Sequence, residues 1–556
     1  AKAGTFLGEA FMYRLHPMAQ KLHELIASGA IGEVRMIQSS FGFQMPEFDP
    51  NHRIFANDLA GGGILDVGGY PVSMARFIAG AAAGKPFLDP VTVSGAAHLG
   101  AEGTDEWAAA VLEFENGILA QVACAVFVQL DNVLRIHGST GRIEIAEFWF
   151  AGGQRPGGPG HIEIIHRDGR HETVATGVPT HLYAFEADAV ADTVAAGSLQ
   201  FAPPGMSWSD TLGNLTVLDL WRQGAGLEYG IETAARRPTT LSGRPLRCGG
   251  QTIPRRAIPG IGKPASVVAI GFENFPSFSS AAILLDAFFE AGGNLIDSAW
   301  VYGHGRPEQI LGDWLTSRGV RDEIVLISKG AHSPLCYPDQ IGRQLAESLE
   351  RMQTDHVDSY FMHRDNLDVP VGEFVDAMDA EVRAGRIRGP FGGSNWTRER
   401  IDEAIAYAKR SGKAAPSALS NNFALAEMLQ PLWQGTVSSG TAEWKAWLTE
   451  RQMPNFSWSS QARGFFTNRA GPEKTGDPEM VNTWYSDANF ARRDRATALG
   501  MELGVTAAQV ALAYVLNQPF PSIPLIGPRR LTELDESIGA VNIRLTPGQI
   551  RWLEAG

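Results

Sequence analysis

Cysteine is nearly absent. The 556 residues contain three, Cys124, Cys248 and Cys336, widely separated and never in a CxxC pair. This excludes a disulfide framework and a cysteine-based zinc site, and makes a reducing cytoplasm the expected compartment. Clustered positive charge is absent as well. Lys and Arg number 47 against 61 Asp and Glu, a net charge of -14, with no basic stripe, so neither nucleic acid nor an anionic membrane is an expected partner. No apolar run approaches the roughly 20 residues that a membrane span needs. The opening AKAGTFLGEAFMYRLHP lacks the basic start, apolar centre and small-residue cleavage site of a secretion signal. It begins at Ala1 instead of Met, which favours a piece of a longer protein. No GxGxxG follows a strand pattern, and GAAAGKP (80–86) is too short between its glycines for a phosphate loop. His332, and the pair His161 and His166, have no partners at metal-binding spacing, so no metal is expected. The sequons at Asn214, Asn395 and Asn455 carry little weight without a secretion signal.

What is present is ordinary globular composition, 44% hydrophobic and 19% charged, in a chain long enough for two to four domains. From about residue 265, short apolar runs alternate with helical patterns. SVVAIGFENF, NLIDSA, IVLISKG, SYFMH, IRGPFGGSN, SALSNN, NFSWSS and SIPLIGP read as eight strands. Between them lie amphipathic stretches such as DQIGRQLAESLERMQ and VGEFVDAMDAEVRAG. Eight such alternations predict an α/β TIM barrel over 263–556, with its site at the C-terminal rim of the strands. The polar, Gly- and Pro-rich stretch 463–490 reads as a long loop able to close over a cofactor.

Four polar groups fall at the predicted rim: Asp297, Tyr302, Lys329 and His363. A tyrosine hydroxyl is a weak acid, and a neighbouring ammonium would favour the phenolate and lower its pKa. That chemistry assigns Tyr302 as acid/base, Lys329 as its tuner, Asp297 as the lysine's anchor and His363 as the donor that orients a substrate carbonyl. DSAWVYGHGRPEQILG, ISKG and YFMHRD, which carry these residues, resemble the signatures of the aldo-keto reductases. The resemblance implies a nicotinamide cofactor and further site residues; the adjacent Arg529 and Arg530 favour NADP(H), with NAD(H) left open. Ser394 and Asn395 in GGSNW would hold the nicotinamide carboxamide. Ser420 stands where the family has glutamine, and Trp458 stands in for the stacking tyrosine. In SIPLIGPRRLTELDES, Gly527 would admit the cofactor backbone, and Arg529 or Arg530 a phosphate. Trp300, Trp396 and Trp458 form an expected aromatic wall suited to a sugar- or polyol-type substrate.

Residues 1–232 differ in pattern. EVRMIQSSFGFQ, VTVSGAAHL, WAAAVLEFENGILAQVACAVF, NVLRIHGSTGRIEI and HIEIIHRDGRHETVA follow one another with turn signals, flanked by helical patterns at 17–28, 69–79 and 183–197. They predict an α+β domain with an open, mostly antiparallel sheet. The Pro-, Gly- and Arg-rich run 233–262 reads as a linker. GEAFMYRLHP, SGAIGEVRMIQSSFGF, GGGILDVGGYPVSMARFIAG and HLYAFEADAVADTVAAG resemble the C-terminal domain of the glucose-fructose oxidoreductase and inositol dehydrogenase (Gfo/Idh/MocA) family. That resemblance implies sugar contacts from Asp66 and Tyr70, which an i, i+4 helix spacing would place on one face. It also implies a preceding Rossmann domain and a Glu-Lys-Pro motif, neither of which is in this sequence. The combined expectation is a bifunctional fusion that forms a homo-oligomer through the sheet domain. The rival expectation is a non-catalytic cofactor-binding sensor or assembly module with an oligomerising sheet domain.

Overall fold

The computed structural model describes residues 4–150, 160–176, 180–233, 240, 245–247, 250, 252–273, 275 and 277–555. Cys248 and much of the expected linker lie outside them. The chain divides into two compact units, Ala1–Glu232 and Thr233–Gly556.

In the first unit, alternating residues build eight strands: β1 (Val34–Gly42), β2 (Thr92–Leu99), β3 (Asp105–Glu113), β4 (Leu119–Ala125), β5 (Leu134–Gly138), β6 (Gly141–Ile145), β7 (His161–His166) and β8 (His171–Ala175). Their order is β2-β3-β4-β1-β5-β6-β7-β8. Only β1 and β4 pair in parallel; every other neighbour is antiparallel. The period-2 pattern puts Ile37, Ala110, Leu112, Ala120, Val122, Leu134, Ile136, Ile143 and Ile162 on one buried face. Helices α1 (Pro17–Ala27), α2 (Gly69–Ala82), α3 (Leu182–Ala195) and α4 (Trp208–Gly224) accompany the sheet. Of these, α4 goes beyond the sequence reading. Two glycines and three threonine or serine residues dilute its apolar stripe, but Ser207 caps it and buried Trp221, Val217 and Leu218 anchor it. Asp210 on α4 is 2% exposed and accepts from both Arg14 (2.9 Å) and Arg76 (2.6 Å), themselves buried.

In the second unit, β9 (Arg255–Arg256) and β10 (Ala265–Ser266) form a two-stranded pair. Ile258 and Ala265 pack with Ala269, Leu295, Val325, Ala418 and Ile523, the residues at or near the N-terminal ends of the barrel strands. Part of the expected linker therefore plugs the bottom of the barrel. The eight strands β11 (Ala269–Gly271), β12 (Leu295–Asp297), β13 (Val325–Gly330), β14 (Ser359–Met362), β15 (Phe391–Gly393), β16 (Ala418–Leu419), β17 (Asn455–Ser457) and β18 (Ser522–Ile526) close in sequence order, all parallel, with β11 pairing β18. Burial on both faces explains their continuous apolar runs. Around them lie α5 (Phe278–Glu290), α6 (Arg306–Arg318), α7 (Pro338–Arg351), α8 (Val371–Arg383), α9 (Arg398–Ser411), α10 (Ala442–Arg451), α11 (Pro478–Trp484), α12 (Asp487–Leu503), α13 (Ala507–Leu516), α14 (Leu531–Ala540) and α15 (Pro547–Ala555). α7 illustrates the logic: Pro338 starts it, Arg351 sits in its last turn, and Ile341, Leu345 and Leu349 bury one face. The stretch expected as a loop, 463–490, contains α11 and the start of α12, each with an acidic or hydroxyl N-cap that the Gly/Pro content obscured. Among the described residues no single helix is long and apolar enough to cross a membrane.

Candidate active site

The C-terminal ends of β12, β13 and β14 deliver three of the four polar groups directly. Asp297 is the last residue of β12, Lys329 the penultimate residue of β13, and His363 follows β14. Tyr302 sits on the turn after β12, where Gly303 and Gly305 take positive φ (45° and 89°) and swing the chain into α6. Lys329 is ion-paired with Asp297, both side chains 2% exposed. The Lys329 ammonium lies 5.5 Å from the Tyr302 ring centre. The Tyr302 and His363 rings meet edge to face at 5.6 Å, and the His363 backbone N–H is held by the Gly330 carbonyl at 2.5 Å.

All four side chains line one cavity of about 1500 Å³. Ser394, Asn395, Trp458, Gly527 and Arg529 line it too. Asn395 is fully engaged: its amide group donates to the His363 carbonyl (3.3 Å) and Ser394 Oγ (3.1 Å), and its oxygen accepts from Val437 N (3.1 Å). The other expected residues stand elsewhere. Ser420 donates its hydroxyl to the Phe456 carbonyl (3.1 Å) and accepts from Ser394 Oγ (2.7 Å), so it braces Ser394 from behind. Arg530 is the N-cap residue of α14 and is not part of the lining. Trp396 is fully buried, its indole N–H given to the Arg364 carbonyl (3.1 Å). Trp300 gives its N–H to Glu347 (2.7 Å) and packs under Arg351. Of the expected aromatic wall only Trp458 faces the cavity; its partner there is Trp433, 6.0 Å away.

Burial foremost, then the charges of Asp297 and Glu273, hold the Tyr302 hydroxyl well above its ordinary value, and Arg364 opposes them. Lys329 is paired with Asp297. The Tyr302 hydroxyl keeps its proton. Burial, followed by the nearby charges of Lys329, His332 and Arg364, holds His363 well below its ordinary value, leaving a neutral imidazole with one N–H to give. Its Nδ1 has no hydrogen-bond partner. The sequence reading missed Arg364, Trp433, Glu273 and His332 as lining residues. Adjacency to His363 in MHRD was the available signal for Arg364; Trp433 comes from a loop with no pattern.

The family profile described as the aldo/keto reductase family matches residues 269–555, more than half of the chain. The chain belongs to the aldo/keto reductase family. It is an oxidoreductase, and a second profile, the GFO/IDH/MocA C-terminal domain, matches residues 19–144, so this aldo/keto reductase is a fusion of the two. It is 27% identical over 313 residues to the uncharacterized oxidoreductase YrpG of Bacillus subtilis, covering 52% of this chain and 92% of that protein. It is 27% identical over 290 residues to the norsolorinic acid reductase stcV of Emericella nidulans, covering 50% and 71%. A solved aldo/keto reductase from Klebsiella pneumoniae in complex with NADP and acetate is 21% identical, covering 53% of this chain and 92% of its own, with a TM-score of 0.41.

In the first unit, a π-helical turn, Ile64–Gly68, holds Asp66 and gives way to α2, which holds Tyr70. Asp66 pairs with Arg53 (2.6 Å) beside a cavity of about 140 Å³. Tyr70 packs against Phe11, Tyr13, Phe41 and Trp149. Among the described residues no group of three His, Cys, Asp or Glu is placed to hold a metal ion.

Proposed function

We propose that the barrel interconverts a carbonyl and an alcohol on a sugar- or polyol-type substrate with NADP(H). The observation that carries this reading is the convergence of Asp297, Tyr302, Lys329 and His363 on one cavity. Tyr302 hands its proton to the substrate oxygen, and neutral His363 donates the N–H that holds that oxygen in place. The Lys329–Asp297 pair fixes the floor beneath Tyr302 while adding no net charge.

The cavity volume accommodates a dinucleotide and a small substrate together. Its wall fits a nicotinamide: the half-buried Trp458 ring offers a stacking face, its indole N–H has no partner, and the space a Cβ of Gly527 would fill is clear of neighbours. When bound, the nicotinamide would supply or accept the hydride. Exposed Arg529 and Arg469 in the lining favour the extra phosphate of NADP(H). Trp433 and Trp458 offer flat surfaces to the C–H faces of a sugar.

NADPH consumption across aldoses, ketoses and inosose-type ketones tests this, run beside Tyr302→Phe. Turnover should fall about 10²- to 10⁴-fold in the variant. Tight NADPH binding without oxidation of any carbonyl would instead support the sensor reading.

For the first unit we propose a homo-oligomer interface on the open face of the sheet. Trp107, Val111 and Leu119 stand there, each 40% exposed or more, side by side with Ser94, Ala96 and Ala109 in the β2–β3–β4 register. Val111→Lys with Leu119→Lys should shift the chain to a smaller species in light scattering; an unchanged mass would rule the face out.

A further inference from the structure

Arg364 is a buried cation of the cavity with no ion pair among the described residues. Arg364 is 8% exposed and lines the cavity beside His363. Its guanidinium donates to the His363 carbonyl (3.0 Å). Its own carbonyl is pinned by Cys336 Sγ (3.3 Å) and Trp396 Nε1 (3.1 Å). No carboxylate among the described residues pairs with it, and three acids of the lining are held by other cations. Asp297 serves Lys329, Asp365 serves Arg400 (3.1 Å), and Glu479 serves Arg463 (3.0 Å). Burial accordingly weakens the hold of Arg364 on its proton.

A buried guanidinium with one hydrogen bond and no anion is costly to keep, and the cost is offset only when an anion arrives. Tyr302 cannot be that anion, since its hydroxyl stays protonated. The free donors of Arg364 form a planar fork, the shape that matches a carboxylate with two parallel hydrogen bonds. A carboxylate fills that fork with one negative charge against the single positive charge of Arg364, where a phosphate dianion brings two.

We propose that Arg364 is a substrate-recognition residue that receives a carboxylate, so that the barrel's substrate is an oxo acid, its carboxylate close to the reacting carbonyl. The proposal rests on the carbonyl-reductase reading above and names its substrate class. It places the anion beside the group that Tyr302 protonates, and it explains why an arginine follows the orienting histidine at the end of β14.

Two measurements on the full chain test it. The first compares kcat/KM for 2-keto-D-gluconate and for its neutral methyl ester, in the wild type, Arg364→Met and Arg364→Lys. The wild type should favour the acid by about tenfold or more, Arg364→Met should bring the ratio close to one, and Arg364→Lys, a point charge without the fork, should fall between. The second is calorimetric binding of D-gluconate, D-gluconamide and inorganic phosphate in the presence of NADP, which reads the same site without turnover. Gluconate should bind more tightly than gluconamide, and Arg364→Met should erase that difference. The proposal is overturned if the wild type shows no preference for the acid, or if the preference survives in Arg364→Met. It is equally overturned if phosphate binds more tightly than gluconate, or if Arg364→Met weakens NADPH binding as much as it weakens the acid. If the wild type reduces no carbonyl at all, the reductase reading fails by itself, and the calorimetry still decides the role of Arg364. Should Arg364→Met fail to fold, Arg364→Lys carries both comparisons.

Discussion

Lys329→Met isolates the electrostatic centre of the barrel. The substitution nearly preserves side-chain length and apolar volume but removes the ammonium from a pair in which both side chains are 2% exposed. Asp297 Oδ1 already has no hydrogen-bond partner, so the variant leaves a buried carboxylate without compensation on either oxygen. Breaking a buried pair from one side costs about 3–5 kcal/mol. For a domain of this size that corresponds to a loss of roughly 6–15 °C in Tm. The pH dependence has a definite sign. Burial raises the Asp297 carboxyl and Lys329 opposes that rise, so removing Lys329 raises it further. A carboxyl whose folded pKa exceeds its unfolded value contributes stability at low pH and loses it as pH climbs through the folded pKa. The deficit should therefore be largest at alkaline pH and shrink on acidification. Thermal unfolding followed by circular dichroism at acidic, neutral and alkaline pH reads it directly. Lys329→Met combined with Asp297→Leu, which removes both charges, should recover most of the loss. A single variant within about 2 °C of wild type at neutral pH, or a double variant no better than the single, would refute the reasoning.

Tyr302 is held well above 10.0 and His363 well below 6.5, so each keeps its working form, protonated and neutral respectively, between those values. Carbonyl reduction should show a kcat flat between pH 6.5 and 10, and a limb centred inside that window would mean that one of the two assignments is wrong. In the first unit, Asp210→Ala strands Arg14 and Arg76 in a buried site and should destabilise that unit by about 3–5 kcal/mol; differential scanning calorimetry should show its transition moving to lower temperature.

The barrel was legible because its strands are buried on both faces: IVLISKG and SYFMH are apolar without interruption and turn polar only where β13 and β14 reach the rim. The sheet was legible for the opposite reason, its strict alternation of buried and exposed positions. Reading failed where local sequence and tertiary demand diverge. α4 carries too many glycines and hydroxyl residues to look like a helix, and its place is set by Asp210 and Trp221 reaching distant partners. The change from a π-turn at Asp66 to α2 before Tyr70 is announced by no side-chain pattern. Trp300 and Trp396 are near strand ends, as the aromatic-wall reading required. Yet distance along the chain from a strand end does not fix side-chain direction, and neither indole lines the cavity: Trp300 turns to Glu347 and Trp396 to the backbone of Arg364. Asp297 and Lys329, read from the sequence as anchor and lysine, are ion-paired at the rim.

The three Asn-x-Ser/Thr tripeptides gain meaning from where the fold puts them. Asn214, Asn395 and Asn455 are 1%, 4% and 0% exposed. Each is tied into hydrogen bonds: Asn214 to the Gly69 carbonyl, Asn395 to His363 and Val437, and Asn455 to Ser439 and Asn421. An oligosaccharide attached to any of them while the chain is still unfolded is too large and too polar for the space the native state allots. Routing this chain through a eukaryotic secretory pathway would therefore modify it before it could fold, at a residue of the barrel's cavity wall in one case and at a barrel strand in another. Production hosts without that glycosylation machinery, or Asn→Gln changes that enlarge a buried side chain, are not equivalent remedies; only the first leaves the native packing intact.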